Sequence, residues 1–170
     1  MNFIDKILNN YKISSEDYIL KYKSDCWNVS FLNFSKNADN KKNLSNFRRN
    51  KILSLDLDDY GGFFQTIDAL LKLIDVCGKK FIDENSETKI GNPDEVFNIG
   101  DKDYNFNDLH NINNLYRIKK NLKEDPKIIL EIGGGYGCLS AKLKKNYINS
   151  KIICVDLPEA LLLQSYYLFS

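Results

Sequence analysis

Histidine is nearly missing from this chain of 170 residues: His110 stands alone, and a lone histidine on a helix reads first as a surface or satisfied residue. The four cysteines, Cys26, Cys77, Cys138 and Cys154, are far apart and form no C-x-x-C pair, which argues against a zinc site or a thioredoxin-like redox motif. Excess charge of one sign is absent too. The 24 basic residues face 23 acidic ones, so there is no global footprint for nucleic acid or an anionic membrane. No stretch approaches the roughly 20 apolar residues of a membrane span. The opening "MNFIDKILNNYKI" breaks its apolar residues with Asp5, Lys6, Asn9 and Asn10 and offers no signal-peptide core. The expectation is a soluble, cytoplasmic protein with reduced thiols and neither nucleic acid nor membrane as partner. Its length suits one ordinary domain or part of a larger one.

What is present divides at Asp125-Pro126. Before it, the reading is mainly helical (residues 1–125). Phe3, Ile4, Ile7, Leu8 and Tyr11 recur at helical spacing, and "SSEDYILKY" offers a cap-like start for another helix. From Asn33 to Asn50 the chain is rich in Asn and Lys and reads as loop, with Lys41, Lys42, Arg48, Arg49 and Lys51 as a candidate anion site or, more simply, a solvated face. Phe64, Ile67, Leu70, Leu71 and Ile74 predict a helix that Gly78 stops. The stretch "NSETKIGNPDEVFNIGDKDYNFND" reads as loop. Leu109, Ile112, Leu115, Tyr116 and Ile118 predict a further helix, capped by Asp108 or Asn107.

After the boundary (residues 126–170) the pattern changes. "KIILEI" and "KIICVD" are short apolar runs, as expected of strands buried on both faces of a parallel sheet. Between them "CLSAKLKKNY" has helical spacing at Leu139 and Leu143. Pro158 and Glu159 suit the start of a last helix. Strand, glycine turn, helix, strand, helix opens a doubly wound α/β domain.

The chain has nine glycines, and four of them fall in "ILEIGGGYGCLS". The turn after the first strand of such a fold lies where ligands bind, and glycines there let a ligand approach the backbone. A dinucleotide site spaces its glycines G-x-G-x-x-G. Here Gly133, Gly135 and Gly137 follow Glu131, and Cys138 stands where the third glycine would be. An acid at the end of the strand sits badly beside a pyrophosphate and well beside the ammonium of a methionine moiety. Asp156 ends the second strand about twenty residues on, where an acid can bind both ribose hydroxyls; it would equally cap the helix at Pro158. Leu157 is placed to lie against an adenine. Tyr136, inside the turn, either touches the cofactor or packs on a helix.

The E-x-G-x-G-x-G pattern resembles class I S-adenosylmethionine-dependent methyltransferases. In its wording, "ILEIGGGYGCLSAKL" with "VDLPEALLLQSYYL" is similar to the sugar O-methyltransferase family, as are the shorter blocks "FRRNKILSLDLDD", "IGNP" and "NDLHNINNLYRI". The resemblance runs with gaps from about Phe47 onward and is most specific from Ile128 to Leu168. It implies a Rossmann-like fold and methyl transfer from S-adenosylmethionine to a sugar hydroxyl, in glycan or sugar-nucleotide biosynthesis. It also implies that Glu131 holds the methionine ammonium, that Gly133, Gly135 and Gly137 line the cofactor, and that Asp156 and Leu157 take its nucleoside. No catalytic base is legible. His110 and Asp108 are placed to approach the cofactor edge, with helix surface and cap as their simpler duties.

A class I methyltransferase sheet has about seven strands, so the expectation is an incomplete domain in the N-terminal part of a longer chain, with an exposed edge on its first strand. Two other readings stand beside it. One is a non-catalytic remnant or interaction module that keeps the cofactor motif. The other is a nucleotide-dependent oxidoreductase, disfavoured by Glu131 and Cys138.

Overall fold

The computed structural model describes residues 3–18, 34, 37, 38, 41–49, 61–87 and 89–170. Cys26, Lys51 and all of the block "NKILSLDLDD" lie outside them. Within them the chain is mixed, with helices and two small sheets, and the sheets do not join into a closed Rossmann-like one.

The first helix, α1 (Phe3–Tyr18), runs on through Ser14 without the break that a second cap would make. Part of the stretch expected to be loop is built into the core. A short helix, α2 (Lys41–Ser45), forms there, and Phe34, Ala38, Leu44 and Phe47 are fully buried. Phe34 and Ala38 stand four apart and Leu44 and Phe47 three apart, a spacing masked by the surrounding Asn and Lys. The described basic residues Lys41, Arg48 and Arg49 do not gather at one place. Lys41 pairs with Asp5 at 2.7 Å, Arg49 with Asp94, and Arg48 is buried near Glu87.

Helix α3 (Phe63–Cys77) ends where Gly78, at φ 81°, donates its N–H to the Ile74 carbonyl. Its buried positions are Thr66, Leu70 and Leu73, while Phe64 and Leu71 face solvent. The apolar arc is wider than the contact, and the inward face is turned from the predicted stripe. Helix α4 (Lys79–Asn85) follows at once. The next expected loop contains a hairpin, β1 (Phe97–Ile99) and β2 (Lys102–Tyr104), closed by Gly100 and Asp101. A Gly-Asp pair between short runs is a known two-residue hairpin signal. Helix α5 (Phe106–Asn121) buries Leu109, Ile112 and Leu115 as expected, but its cap is Asn105, whose side chain accepts the Asp108 N–H. Asp108 lies inside the first turn and is fully buried.

Strands β3 (Ile128–Ile132) and β4 (Lys151–Val155) pair in parallel, with Glu131 opposite Cys154 and Ile132 opposite Val155. Helix α6 (Cys138–Asn146) connects them, and α7 (Pro158–Phe169) follows with Pro158 in its first turn. Only one face of this sheet is covered. Ile129 and Ile152 pack under α6 with Leu115, Leu143 and Tyr147. Ile128, Leu130, Ile132, Ile153 and Val155 point the other way and are exposed, Ile132 at 74 %. The burial on both faces predicted for these runs is therefore not met among the described residues, where β3 pairs with β4 alone.

The cores cross the Asp125-Pro126 link. Ile7, Leu8, Tyr11, Phe34, Leu44 and Phe47 from the first region join Tyr136, Cys138, Leu162, Leu163 and Tyr167 from the second. Truncating a buried phenylalanine such as Phe47 typically costs about 3–5 kcal/mol, so the two regions stabilise each other. No helix among the described residues is long and apolar enough to cross a membrane.

Candidate functional site

The turn from β3 to α6 requires its glycines. Gly133, Gly135 and Gly137 have φ of 70°, 59° and 93°, in the region that side chains other than glycine avoid. Gly134 is needed for space: a Cβ there would meet the carboxyl carbon of Glu131 at 2.7 Å. At Gly133 no atom of another described residue beyond its chain neighbours lies within 4 Å of where a Cβ would stand. The backbone there is open to a ligand.

Two carboxylates bracket this turn. Glu131 is half-buried on the α6 side of the sheet, where its Oε2 accepts the hydroxyl of Ser140. Burial pushes its pKa up, the Ser140 hydrogen bond opposes that, and the negative charge of Asp156 adds to the rise. Asp156 reaches the turn from the end of β4. Its Oδ2 accepts the Gly135 N–H at 3.1 Å and the Gln164 amide at 3.3 Å, and its Oδ1 accepts the Leu157 N–H at 2.8 Å. The cap expected of it is not made: Leu157 is the N-cap of α7 and no side chain caps that helix. Asp156 instead ties turn, strand and helix together. Leu157 is half-buried and packs partly against the core of the helical region.

Tyr136 turns inward. It is buried, its ring stacks edge-on with Phe47 and Tyr167, Arg48 lies 5.1 Å over its face, and its hydroxyl accepts the Asn107 amide at 2.9 Å. The helical region thus grips the glycine turn by its one large side chain. Ser140, Gln164 and Gly134 complete the site and were not singled out from the sequence. Gln164 carries the only faint signal, as an amide beside Ser165 in the otherwise apolar and aromatic "LLLQSYYL".

Beneath the turn lies a buried ionic cluster. Lys142 Nζ sits 2.5 Å from Asp108 Oδ1 and donates to the Asn85 carbonyl, while Asp108 Oδ2 accepts from Ser86 Oγ and the Glu87 N–H. Burial alone would lower the Lys142 pKa, but Cys138, Asp108 and the hydrogen bond to Asp108 outweigh it, and the net direction is up. The ammonium therefore stays charged. Asp108 is committed to these donors and is closed to solvent. His110 is exposed on α5, beside a hollow of about 200 Å³ that it shares with Lys72 and Val76 of α3. Neither is arranged as a base at the turn. Among the described residues no three His, Cys, Asp or Glu side chains gather as a metal ion would require.

Comparison with protein-family models, with curated proteins and with solved structures finds no match for this chain.

Proposed function

We propose that the turn between β3 and α6, with Glu131 and Asp156, is the S-adenosylmethionine seat of a methyltransferase of Rossmann-like type, acting on a sugar hydroxyl. The observation that carries the reading is the meeting of Asp156 with Gly135. An acid 21 residues further along the chain arrives at the same turn, on the second of two parallel strands, as a ribose-binding acid in a nucleotide fold does. The open backbone at Gly133 gives room for the ligand.

The residues fit the cofactor in chemistry. A carboxylate has about four acceptor directions, so the three donors on Asp156 leave it able to receive a ribose hydroxyl. Glu131 has one oxygen engaged by Ser140, and its other oxygen would face the methionine ammonium. The glycine N–H and C=O groups would line the ligand, and Leu157 would offer the adenine an apolar surface. The chemistry supplied by S-adenosylmethionine when bound is an electrophilic methyl group, and the chain's part is to hold donor and sugar oxygen in line. The sugar is the proposal of the resemblance, and the general base has no candidate among the described residues.

Isothermal titration of the chain with S-adenosylhomocysteine tests the reading. Micromolar binding that Asp156→Ala weakens at least about tenfold, the loss of one charge-assisted hydrogen bond, is the expected result. Equal affinity in wild type and variant removes the ribose role. Preference for NADH over S-adenosylhomocysteine would restore the oxidoreductase reading, and no affinity for either nucleotide would favour the non-catalytic module.

A further inference from the structure

We infer that Gln164 is a positioning residue for Asp156, kept in the core for the ligand site at the expense of the fold; this rests on the cofactor seat proposed above. Gln164 belongs to the buried side of α7, with 2 % of its surface exposed. Its Cγ lies 3.3 Å from where a Cβ on Gly137 would stand, so it is pressed against the glycine turn. Its amide Nε2 donates to Asp156 Oδ2. Its Oε1 is buried and meets no donor among the described residues.

That orphaned oxygen is informative. A carboxylate only accepts hydrogen bonds, so the amide must present its nitrogen to Asp156. Turning the amide would set two acceptors against each other. The one orientation that serves Asp156 leaves Oε1 buried without a partner, which disfavours the folded state. Leucine or methionine would fill the same buried position against the glycine turn without that penalty. Where a local choice opposes stability, the reason is expected at a functional site. Among the described residues the side chain that gains is Asp156. With Gly135 N–H and Gln164 both on Oδ2 and the Leu157 N–H on Oδ1, the carboxylate is held in place, and the one acceptor direction left on Oδ1 would be the one offered to the ribose.

The test compares wild type with Q164M, an unbranched replacement of similar length, in two measurements. The first is affinity for S-adenosylhomocysteine and for its 2′-deoxyribose analogue; the second is Tm without ligand. The inference expects Q164M to bind S-adenosylhomocysteine about tenfold more weakly, to lose much of the preference for ribose over deoxyribose, and to melt no lower than wild type. A residue with a merely structural role would not weaken binding while leaving Tm equal or higher. Unchanged affinity and preference in Q164M overturn the inference and leave the cofactor seat standing. A Q164M that melts well below wild type or does not fold overturns it as well, because Gln164 would then support the core. Wild type that binds neither nucleoside, or binds both equally, removes the proposed role of Asp156 and the inference with it.

Discussion

Two carboxylates on neighbouring elements show opposite uses of the same group. Asp108, in the first turn of α5, is fully buried and bound to Lys142, Ser86 and Glu87. Asp156, at the end of β4, is half-buried and bound to the glycine turn, to Leu157 and to Gln164. The first joins the helical region to α6 with a pair that water does not reach. The second is half open and, among the described residues, keeps one acceptor direction unused. Hydrogen bonding alone therefore does not separate a fastening from a site; access does.

One substitution applied to both carboxylates sharpens the contrast, and the larger effect is expected at Asp108. Asp108→Asn leaves the Lys142 ammonium buried without its counter-charge, a loss of about 3–5 kcal/mol, read as a lower urea midpoint at unchanged m. The sign of its pH dependence follows from the raised Lys142 pKa. The wild-type contribution is fully present below the unfolded lysine value near 10.4 and fades only as pH rises through the higher folded value, whereas burial without a counter-charge lowers the Lys142 pKa of the variant, so the gap is widest at acid pH and narrows as pH rises from 6 toward 9. A gap that stays the same across that range would show that Asp108 does not hold a charged Lys142. Asp156→Asn is expected to do the reverse: a change in stability under about 1 kcal/mol and at least about a tenfold loss of S-adenosylhomocysteine affinity, by titration calorimetry.

Two smaller changes probe the turn between them. Gly137→Ala forces a side chain into φ 93° and against Gln164, an expected loss of about 1–2 kcal/mol in chemical denaturation. Glu131→Gln has the least effect on the fold and the opposite sign. Because burial raises the Glu131 pKa, its stabilising contribution is present below the unfolded value near 4.3 and is lost as pH rises through the folded one. The glutamine variant is therefore expected to be at least as stable as wild type at pH 7 and to lose that advantage near pH 4, as followed by thermal melts. A variant less stable at neutral pH would mean that ionised Glu131 helps to hold the turn.

Much of the second region was legible because its signals are local. Glycines with positive φ, apolar runs of strand length, and Pro158 in a first turn all act within a few residues, and β3, α6, β4 and α7 lie where those signals put them. The first region was less legible. Its inward side chains Phe34, Leu44 and Phe47 are diluted by polar neighbours, and the turned face of α3 depends on what packs against it. The hairpin at Gly100 was legible in principle from its Gly-Asp turn.

The sequence by itself determined where the chain turns and in what order strand and helix follow, and it brought Glu131 and the glycines to one place, since backbone angles and periodicity are properties of adjacent residues. Only the tertiary structure decided that Asp108 pairs with Lys142, that Tyr136 is held by Phe47, Arg48 and Asn107, that Gln164 backs Asp156, and that among the described residues one face of the β3–β4 sheet is left open. The physical reason is separation along the chain. Asp108 and Lys142 are 34 residues apart, and Asn107 and Tyr136 are 29 apart; burial, which makes such pairs strong, exists only once the elements between them have packed.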